Sequence, residues 1–444
     1  MIHWQRPRNL ACRIFLHFPK KCWTFRPKSF KITVYDFIKR GEDMATKKKK
    51  KKWMKFRHRV VRNIACPILH IYSRLKYGIK IEKFKGQKDG PYLILYNHQT
   101  PFDQFFVGIA FKGPVYYLAT EDIFSKGWVS SLIRWLVAPI PIKKQTTDLT
   151  AVKTCLRVAK EGGTLCIAPE GNRTYSGRTE YMSPAIGALA KKLGLPIALY
   201  RIEGGYGTQP RWSDGVRKGK MKGYVSQVIE PEAYKELSAE ELFALIEQGL
   251  FVDENHDGDR FVSPKRGEYL ERMIYLCPFC GLTHFKSEGS LVTCCSCGAS
   301  VEYGEDKTLT GVNCNFPYRF PGDWYDAQKD FVNHLDLTTQ IHTPYFTEQG
   351  ELWDVQVKKK KTCLAQNMEI KLYGNRVELG ERIVPFAEIT TAAVLGRNKL
   401  NLYYGDKVWQ VRGDKGFNAL KYVHLIYRYK NIAKGEKDGK FLGL

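Results

Sequence analysis

Tyr92-Leu93-Ile94-Leu95-Tyr96-Asn97-His98-Gln99-Thr100-Pro101-Phe102-Asp103 is the stretch on which the reading of this chain turns. Residues 92–96 form a short apolar run, which reads as a buried strand. Thr100 and Pro101 then supply an N-cap and a first-turn proline, so a helix over 101–111 is expected to follow directly. The same rhythm continues outward. Strands are expected at 115–119, 140–142, 164–168 and 196–202, and helices at 127–137, 149–160 and 183–193. A last helix over 238–248 opens with a capping box of Ser238 and Glu241. Strands alternating with helices of this length predict an α/β fold, a mostly parallel sheet flanked by helices.

That framework gives the polar residues of the opening stretch a place. His98 falls on the strand-to-helix turn, and Asp103 falls in the first helical turn, within reach of the same imidazole. A carboxylate can fix the tautomer at one ring nitrogen while the other faces a substrate hydroxyl, the arrangement of a general base and its orienting group. After the strand at 164–168 comes Pro169-Glu170-Gly171-Asn172-Arg173, a turn carrying one anionic and one cationic side chain. Ligands of open α/β sheets bind at the carboxyl ends of strands, and both blocks fall there. Together they predict a site that takes a proton from a hydroxyl while holding a phosphate nearby.

Asn97-His98-x4-Asp103 followed by Pro169-Glu170-Gly171-x-Arg173 resembles the glycerolipid acyltransferase family, the 1-acylglycerol-3-phosphate O-acyltransferases, over about residues 60–250. The resemblance implies a glycerol-3-phosphate acyltransferase-like fold in which His98 deprotonates the free hydroxyl of lysophosphatidate and Asp103 orients His98. The alkoxide oxygen then attacks the thioester of acyl-CoA or acyl-carrier protein, the cosubstrate, to give phosphatidate. Glu170, Gly171 and Arg173 match the family's substrate-binding block, with Arg173 the phosphate contact. The family's second block ends in arginine. Here Ile140-Pro141-Ile142-Lys143-Lys144 offers Lys143 and Lys144, which keep the charge but lose bidentate geometry. The fourth block, Leu195-Pro196-Ile197-Ala198-Leu199, lacks the usual second proline, Ala168 replaces an aromatic, and Asn172 replaces threonine. A different lysophospholipid acceptor, or a non-catalytic lipid-binding scaffold on the same fold, remains the alternative.

At 444 residues the chain is expected to hold two or three domains. Its formal net charge of +26 points to anionic partners: lysophosphatidate, acyl donor, acyl-carrier protein and an anionic membrane surface. No nucleic-acid motif accompanies the charge, so no nucleic-acid partner is expected. Residues 1–43 are basic and aromatic without period, Met44 reads as the natural start, and six lysines follow at 47–52. Residues 1–52 are therefore taken as a basic extension. Residues 53–78 mix Val60, Val61, Ile64, Leu69 and Ile71 with Arg57, Arg59 and Arg62, an amphipathic helix suited to a membrane surface. No signal peptide is recognised, and no apolar run is long enough to span a bilayer. Residues 128–142 come closest, but Arg134 interrupts them and Pro139 and Pro141 close them. They read as a core helix plus strand in preference to an interfacial helix. The expected location is peripheral, on the cytoplasmic face of the membrane.

Five of the twelve cysteines fall between 277 and 297. Cys277-Pro-Phe-Cys280 and Cys294-Cys-Ser-Cys297 are two Cys-x2-Cys knuckles, and four thiolates at this spacing predict a closed, structural zinc ribbon, with iron the lesser alternative. The scattered remainder fits a reducing compartment. The acyltransferase-like domain is set at 53–255, with 253–258 read as a polar interdomain turn, and the ribbon at 270–303. Residues 304–362 form a linker without assignment. Residues 363–434, strands with hairpin signals at 373–375 and 405–406 and one helix over 416–431, look like a small β-barrel of pleckstrin-homology or GRAM type. Its Arg376, Lys399, Lys407 and Arg412 read as a solvated charged rim.

Overall fold

The computed structural model describes residues 52–120, 123–124, 127–142, 148–355, 361–436, 439 and 441. The expectations for residues 1–51, and for Lys143 and Lys144, lie outside them. Among the described residues the first seven strands make one sheet. They are β1 (Ile79–Ile81), β2 (Leu93–Tyr96), β3 (Val115–Thr120), β4 (Ile140–Ile142), β5 (Thr164–Ile167), β6 (Ile197–Glu203) and β7 (Met221–Ile229). Their order is β1-β7-β6-β2-β5-β3-β4, and every pairing is parallel except β6 with β7. The sheet is buried on both faces, which is why its strands read as continuous apolar runs. Leu93, Leu95, Leu165, Ile167, Ile197 and Leu199 enter one core. Their alternates Ile94, Tyr96, Cys166, Ala198 and Tyr200 enter the other.

Among the described residues, six helices of eight or more residues accompany this sheet: α1 (Phe56–Tyr77), α2 (Asp103–Ala110), α3 (Trp128–Val137), α4 (Leu149–Lys160), α5 (Ala185–Leu193) and α6 (Ala239–Leu250). The capping box of α6 is formed: Glu241 N–H donates to Ser238 Oγ at 3.0 Å, and Ser238 N–H to Glu241 Oε2 at 2.7 Å. Along α1, Phe56, Val60, Ile64, Ile68, Ile71 and Leu75 lie exposed at helical spacing, while His58, Ser73 and Tyr77 are buried. On α3 the core reading of residues 128–137 is overturned. Trp128, Leu132, Trp135 and Val137 are exposed, and only Ser130 is buried. Helical period defined an apolar face but not what that face meets.

A hairpin of β8 (Leu276–Cys277) and β9 (Gly281–Leu282) precedes a four-stranded antiparallel sheet. Its strands are β10 (Phe285–Glu288), β11 (Leu291–Cys294), β12 (Ser300–Tyr303) and β13 (Leu309–Gly311). The stretch without assignment then supplies helix α7 (Pro321–His334) and strand β14 (Phe346–Asp354). Strand β14 heads a second antiparallel sheet with β15 (Thr362–Leu372), β16 (Arg376–Leu379), β17 (Arg382–Pro385), β18 (Ile389–Leu395), β19 (Lys399–Tyr404) and β20 (Lys407–Arg412). The order is β17-β16-β15-β14-β20-β19-β18, and helix α8 (Ala419–Ala433) packs on β18 and β19. This sheet therefore begins at Phe346 rather than near 363. Its first strand escaped the sequence reading because register shifts break the period-2 pattern between Gly350 and Trp353.

The later elements are not a separate appendage. Tyr175 and Trp212, from the segment carrying the parallel sheet, are fully buried in one cluster with Ile274, Tyr303, Tyr325 and Tyr422.

Candidate active site

β2 delivers the catalytic candidates, and its end is locked from both sides. Asn97 Nδ2 donates to the Ile202 carbonyl at 2.8 Å, and Ile202 N–H donates to Asn97 Oδ1 at 2.7 Å. His98 Nδ1 lies 2.8 Å from Oδ2 of the fully buried Asp103. The same oxygen accepts the N–H groups of Gln99 (2.7 Å) and Thr100 (2.9 Å), and Oδ1 accepts the Thr100 hydroxyl at 2.5 Å. A carboxylate can only accept, so this network assigns the proton to Nδ1 and leaves Nε2 as the basic nitrogen. The imidazole is 20% exposed, the carboxylate not at all. Helix α2 starts at Asp103, not at Pro101. The Asp103 carboxylate draws the Gln99 and Thr100 amides toward itself and closes a loop ahead of the helix.

The second block leaves β5, the immediate neighbour of β2, with Leu95 opposite Ile167. Glu170 is buried, and its two oxygens accept the N–H groups of His98 and Glu180, both at 2.8 Å. Burial pushes its carboxyl up to about 8, against the pull of those two amides. In this structure Glu170 thus ties the two blocks together. Thr174 N–H to the His98 carbonyl, at 3.0 Å, adds a second tie. Gly171 turns the chain at φ 67°, where a side chain would be strained. Arg173 lies within electrostatic reach of Asp103, with its Nη1 buried and no described residue accepting from it. Burial and the charges of Arg211 and Arg397 pull its guanidinium down to about 9. Taken together, the blocks gather an imidazole whose Nδ1 is held by a carboxylate and a guanidinium whose Nη1 has no acceptor among the described residues.

Several supporting residues were not legible in the sequence. Gln99 Oε1 accepts the N–H groups of Gly205 (2.9 Å) and Tyr206 (3.2 Å). Glu254 is buried and accepts the Gly204 N–H at 2.5 Å. The segment 253–258, read as a polar interdomain turn, therefore packs against the Gly204–Tyr206 stretch that Gln99 also holds. Arg178 binds Asp253 (3.1 Å), Asp323 (2.7 Å) and Asp326, pinning the segment that follows the second block to α7. The one sequence signal for them is the acidic density of 253–259.

The four cysteines of the knuckles converge, with all four sulfurs within 4.8 Å of one another. The Cys277–Cys297 and Cys280–Cys294 separations are 3.7 and 3.5 Å. A tetrahedral ion with metal–sulfur bonds of about 2.3 Å spaces its sulfurs by about 3.8 Å, so the cluster fits such an ion. Cys295 stands outside the set and donates its N–H to the His284 carbonyl.

The family model described as Acyltransferase matches residues 79–201, which span β1 to β6 and both sequence blocks. That stretch of the chain is thus similar to the acyltransferase family. It is 22% identical over 185 residues to a 1-acyl-sn-glycerol-3-phosphate acyltransferase of Bacillus subtilis (strain 168), covering 41% of this chain and 89% of that one. It is 24% identical over 168 residues to a chloroplastic 1-acyl-sn-glycerol-3-phosphate acyltransferase of Brassica napus, covering 36% of this chain and 46% of that one. Among solved structures it is similar to the 1-acyl-sn-glycerophosphate (LPA) acyltransferase PlsC of Thermotoga maritima. That likeness has a TM-score of 0.36 and 20% identity, over 43% of this chain and 78% of that one.

Proposed function

We propose that this protein transfers a fatty acyl group from a thioester donor, acyl-CoA or acyl-carrier protein, to the free hydroxyl of 1-acylglycerol-3-phosphate, giving phosphatidate. The observation that carries the reading is the contact of His98 Nδ1 with buried Asp103, which leaves Nε2 for the substrate, on a turn tied to the block carrying Arg173. Nε2 takes the hydroxyl proton as the oxygen attacks the thioester carbonyl, Asp103 stabilises the imidazolium that forms, and the proton passes to the departing thiolate. Arg173 holds the phosphate of the acceptor. The family match and the names of the two relatives support the same chemistry. His98→Ala tests it: with radiolabelled acyl-CoA and lysophosphatidate, transfer is expected to vanish while the thermal melt stays unchanged. Retained transfer refutes the assignment.

The cysteine cluster is assigned to a structural zinc ion, since a closed set of four thiolates leaves no position for water. No helix among the described residues is long and apolar enough to cross a membrane. The apolar stripe of α1 and the exposed tryptophans of α3 are assigned to the membrane surface, on the cytoplasmic face. Ile64→Asp with Ile68→Asp is expected to abolish flotation with anionic liposomes; unchanged flotation removes this assignment. The sheet β14–β20 with α8 is read as a pleckstrin-homology or GRAM-type module. Two of its rim arginines are engaged within it. Arg376 bonds Glu378 at 2.8 Å and stacks on Tyr373, and Arg412 stacks on Trp353.

A further inference from the structure

Three arginines meet where the second block of the parallel-sheet domain touches the turn between β18 and β19. Arg211 is the joint. Its Nη1 donates to the Arg173 carbonyl (3.1 Å), its Nε to the Gly396 carbonyl (3.1 Å) and its Nη2 to the Val394 carbonyl (3.0 Å). One planar guanidinium therefore holds the backbone of Arg173 against the residue preceding Arg397. Tyr175, two residues beyond Arg173, donates its hydroxyl to the Arg397 carbonyl at 3.4 Å. Arg211, with all three of these bonds made to carbonyls, is stacked over Tyr175 at 4.2 Å.

Arg173 and Arg397 are in a different state. Arg173 Nη1 and Arg397 Nε are both buried, and no described residue accepts from either. Arg397 Nη1 lies 3.2 Å from the carboxylate of Asp214, which Arg272 also holds from 2.7 Å. Arg397 is thus paired with Asp214 and 34% exposed, yet its Nε, like Arg173 Nη1, is a buried donor left without an acceptor among the described residues. Such donors are costly to leave unpaired, and an anion between them would satisfy both. The lowered proton affinity of Arg173, caused in part by the Arg211 and Arg397 charges, agrees with this crowding.

We propose that Arg397, carried by the C-terminal sheet, is a second phosphate-binding residue of the acyl-acceptor site, facing the same phosphate monoester as Arg173. The inference rests on the acyltransferase reading and deepens it: the headgroup site is composite, and the acceptor it selects carries a phosphate. Two guanidiniums on one phosphate give charge-assisted hydrogen bonds from two directions, which a neutral or zwitterionic headgroup does not match.

The experiment uses the full chain with Arg397→Gln, Arg397→Lys and, as a control for general charge, Arg382→Gln on the exposed end of β17. Asp214 keeps Arg272 in the Arg397 variants, so the fold is retained, as a thermal melt verifies. Inorganic phosphate binding is measured by calorimetry, and KM and kcat are measured with lysophosphatidate. Arg397→Gln is expected to weaken phosphate binding and to raise KM by about tenfold or more, with kcat within about threefold. Arg397→Lys recovers part of the loss, and Arg382→Gln changes neither quantity. The proposal is overturned if Arg397→Gln matches the wild type, if Arg382→Gln loses as much, or if wild type binds no phosphate. Loss of inorganic phosphate binding with an unchanged lysophosphatidate KM also overturns it, since the site then serves free phosphate. A wild type that binds phosphate through Arg397 yet transfers no acyl group leaves the anion site standing and removes the acyltransferase reading instead.

Discussion

Asp103→Asn separates charge from geometry in the catalytic pair. Three donors, His98 Nδ1 and the amides of Gln99 and Thr100, converge on Asp103 Oδ2, whereas Oδ1 meets only the Thr100 hydroxyl. An asparagine can keep its oxygen at the first position and turn its NH2 to the Thr100 oxygen, which accepts as readily as it donates. The loop is therefore expected to survive, with the melting temperature within a few degrees of wild type. What is lost is the negative charge facing the imidazolium as it forms. With charge centres about 4 Å apart and an effective dielectric near 20, that attraction is about 4 kcal/mol. His98 is 20% exposed, and solvent screening brings the loss to about 3 kcal/mol. The acyl-transfer kcat is thus expected to fall roughly 150-fold. Initial rates with lysophosphatidate and radiolabelled acyl-CoA measure it, beside circular dichroism of the same samples. A folded Asp103→Asn protein working within tenfold of wild type refutes the claim that this carboxylate stabilises the charged base.

Arg173→Met removes a half-buried cation whose buried Nη1 has no acceptor among the described residues, so it should stabilise the chain by about 1–3 kcal/mol in denaturant melts while acceptor KM rises. A destabilised variant contradicts the idea that Arg173 waits unpaired for its ligand. Glu170, pushed up to about 8, binds more protons folded than unfolded between the usual carboxylate range and pH 8. Its contribution to stability is present at low pH and is lost as pH rises through about 8, so this component of the melt should decline across that window. Glu170→Gln should flatten the slope but lower stability by about 1–3 kcal/mol, because its NH2 must face one of two backbone N–H groups. An unchanged pH slope would speak against it. Chelation should strip one zinc per chain, read by elemental analysis, and unfold the β8–β13 region first in hydrogen exchange. Purified protein without metal, equally protected there, defeats the zinc assignment.

The part of the fold that the sequence disclosed is the part governed by local periodicity. Strands β2, β5 and β6 are buried on both faces and so appear as unbroken apolar runs, and Ser238 with Glu241 marks the start of α6. His98 and Asp103 are five residues apart, so a turn followed by a helix was enough to bring them together. The site's surroundings are different in kind. Arg211 reaches Gly396 across 185 residues, Gln99 reaches Gly205 across 106, and Glu254 reaches Gly204 across 50. Nothing in local spacing encodes such partners. Strand β14 was missed for a related reason, since it pairs with β15 and β20 through a register-shifted ladder that period-2 counting does not detect.

The position of these long-range contacts explains why the extra segments bear on the chemistry. An acceptor phosphate has to sit at a fixed offset from His98 Nε2, because loss of near-attack geometry costs rate even when both groups are intact. Arg173 lies on a turn, and turns are the more mobile parts of an α/β fold. Here that turn and the segment that follows it are held at four places: Glu170 to the His98 amide, Thr174 to the His98 carbonyl, Arg211 to the Arg173 carbonyl, and Arg178 to Asp323 and Asp326 of α7. The first two bonds fix the turn to the catalytic loop. The last two fix it to residues from, or bound to, elements beyond 320. A cation-bearing turn clamped on both sides can keep an unpaired guanidinium poised instead of letting it swing into water. In the proposed transfer, the segments after residue 255 would set the distance between His98 and the acceptor phosphate.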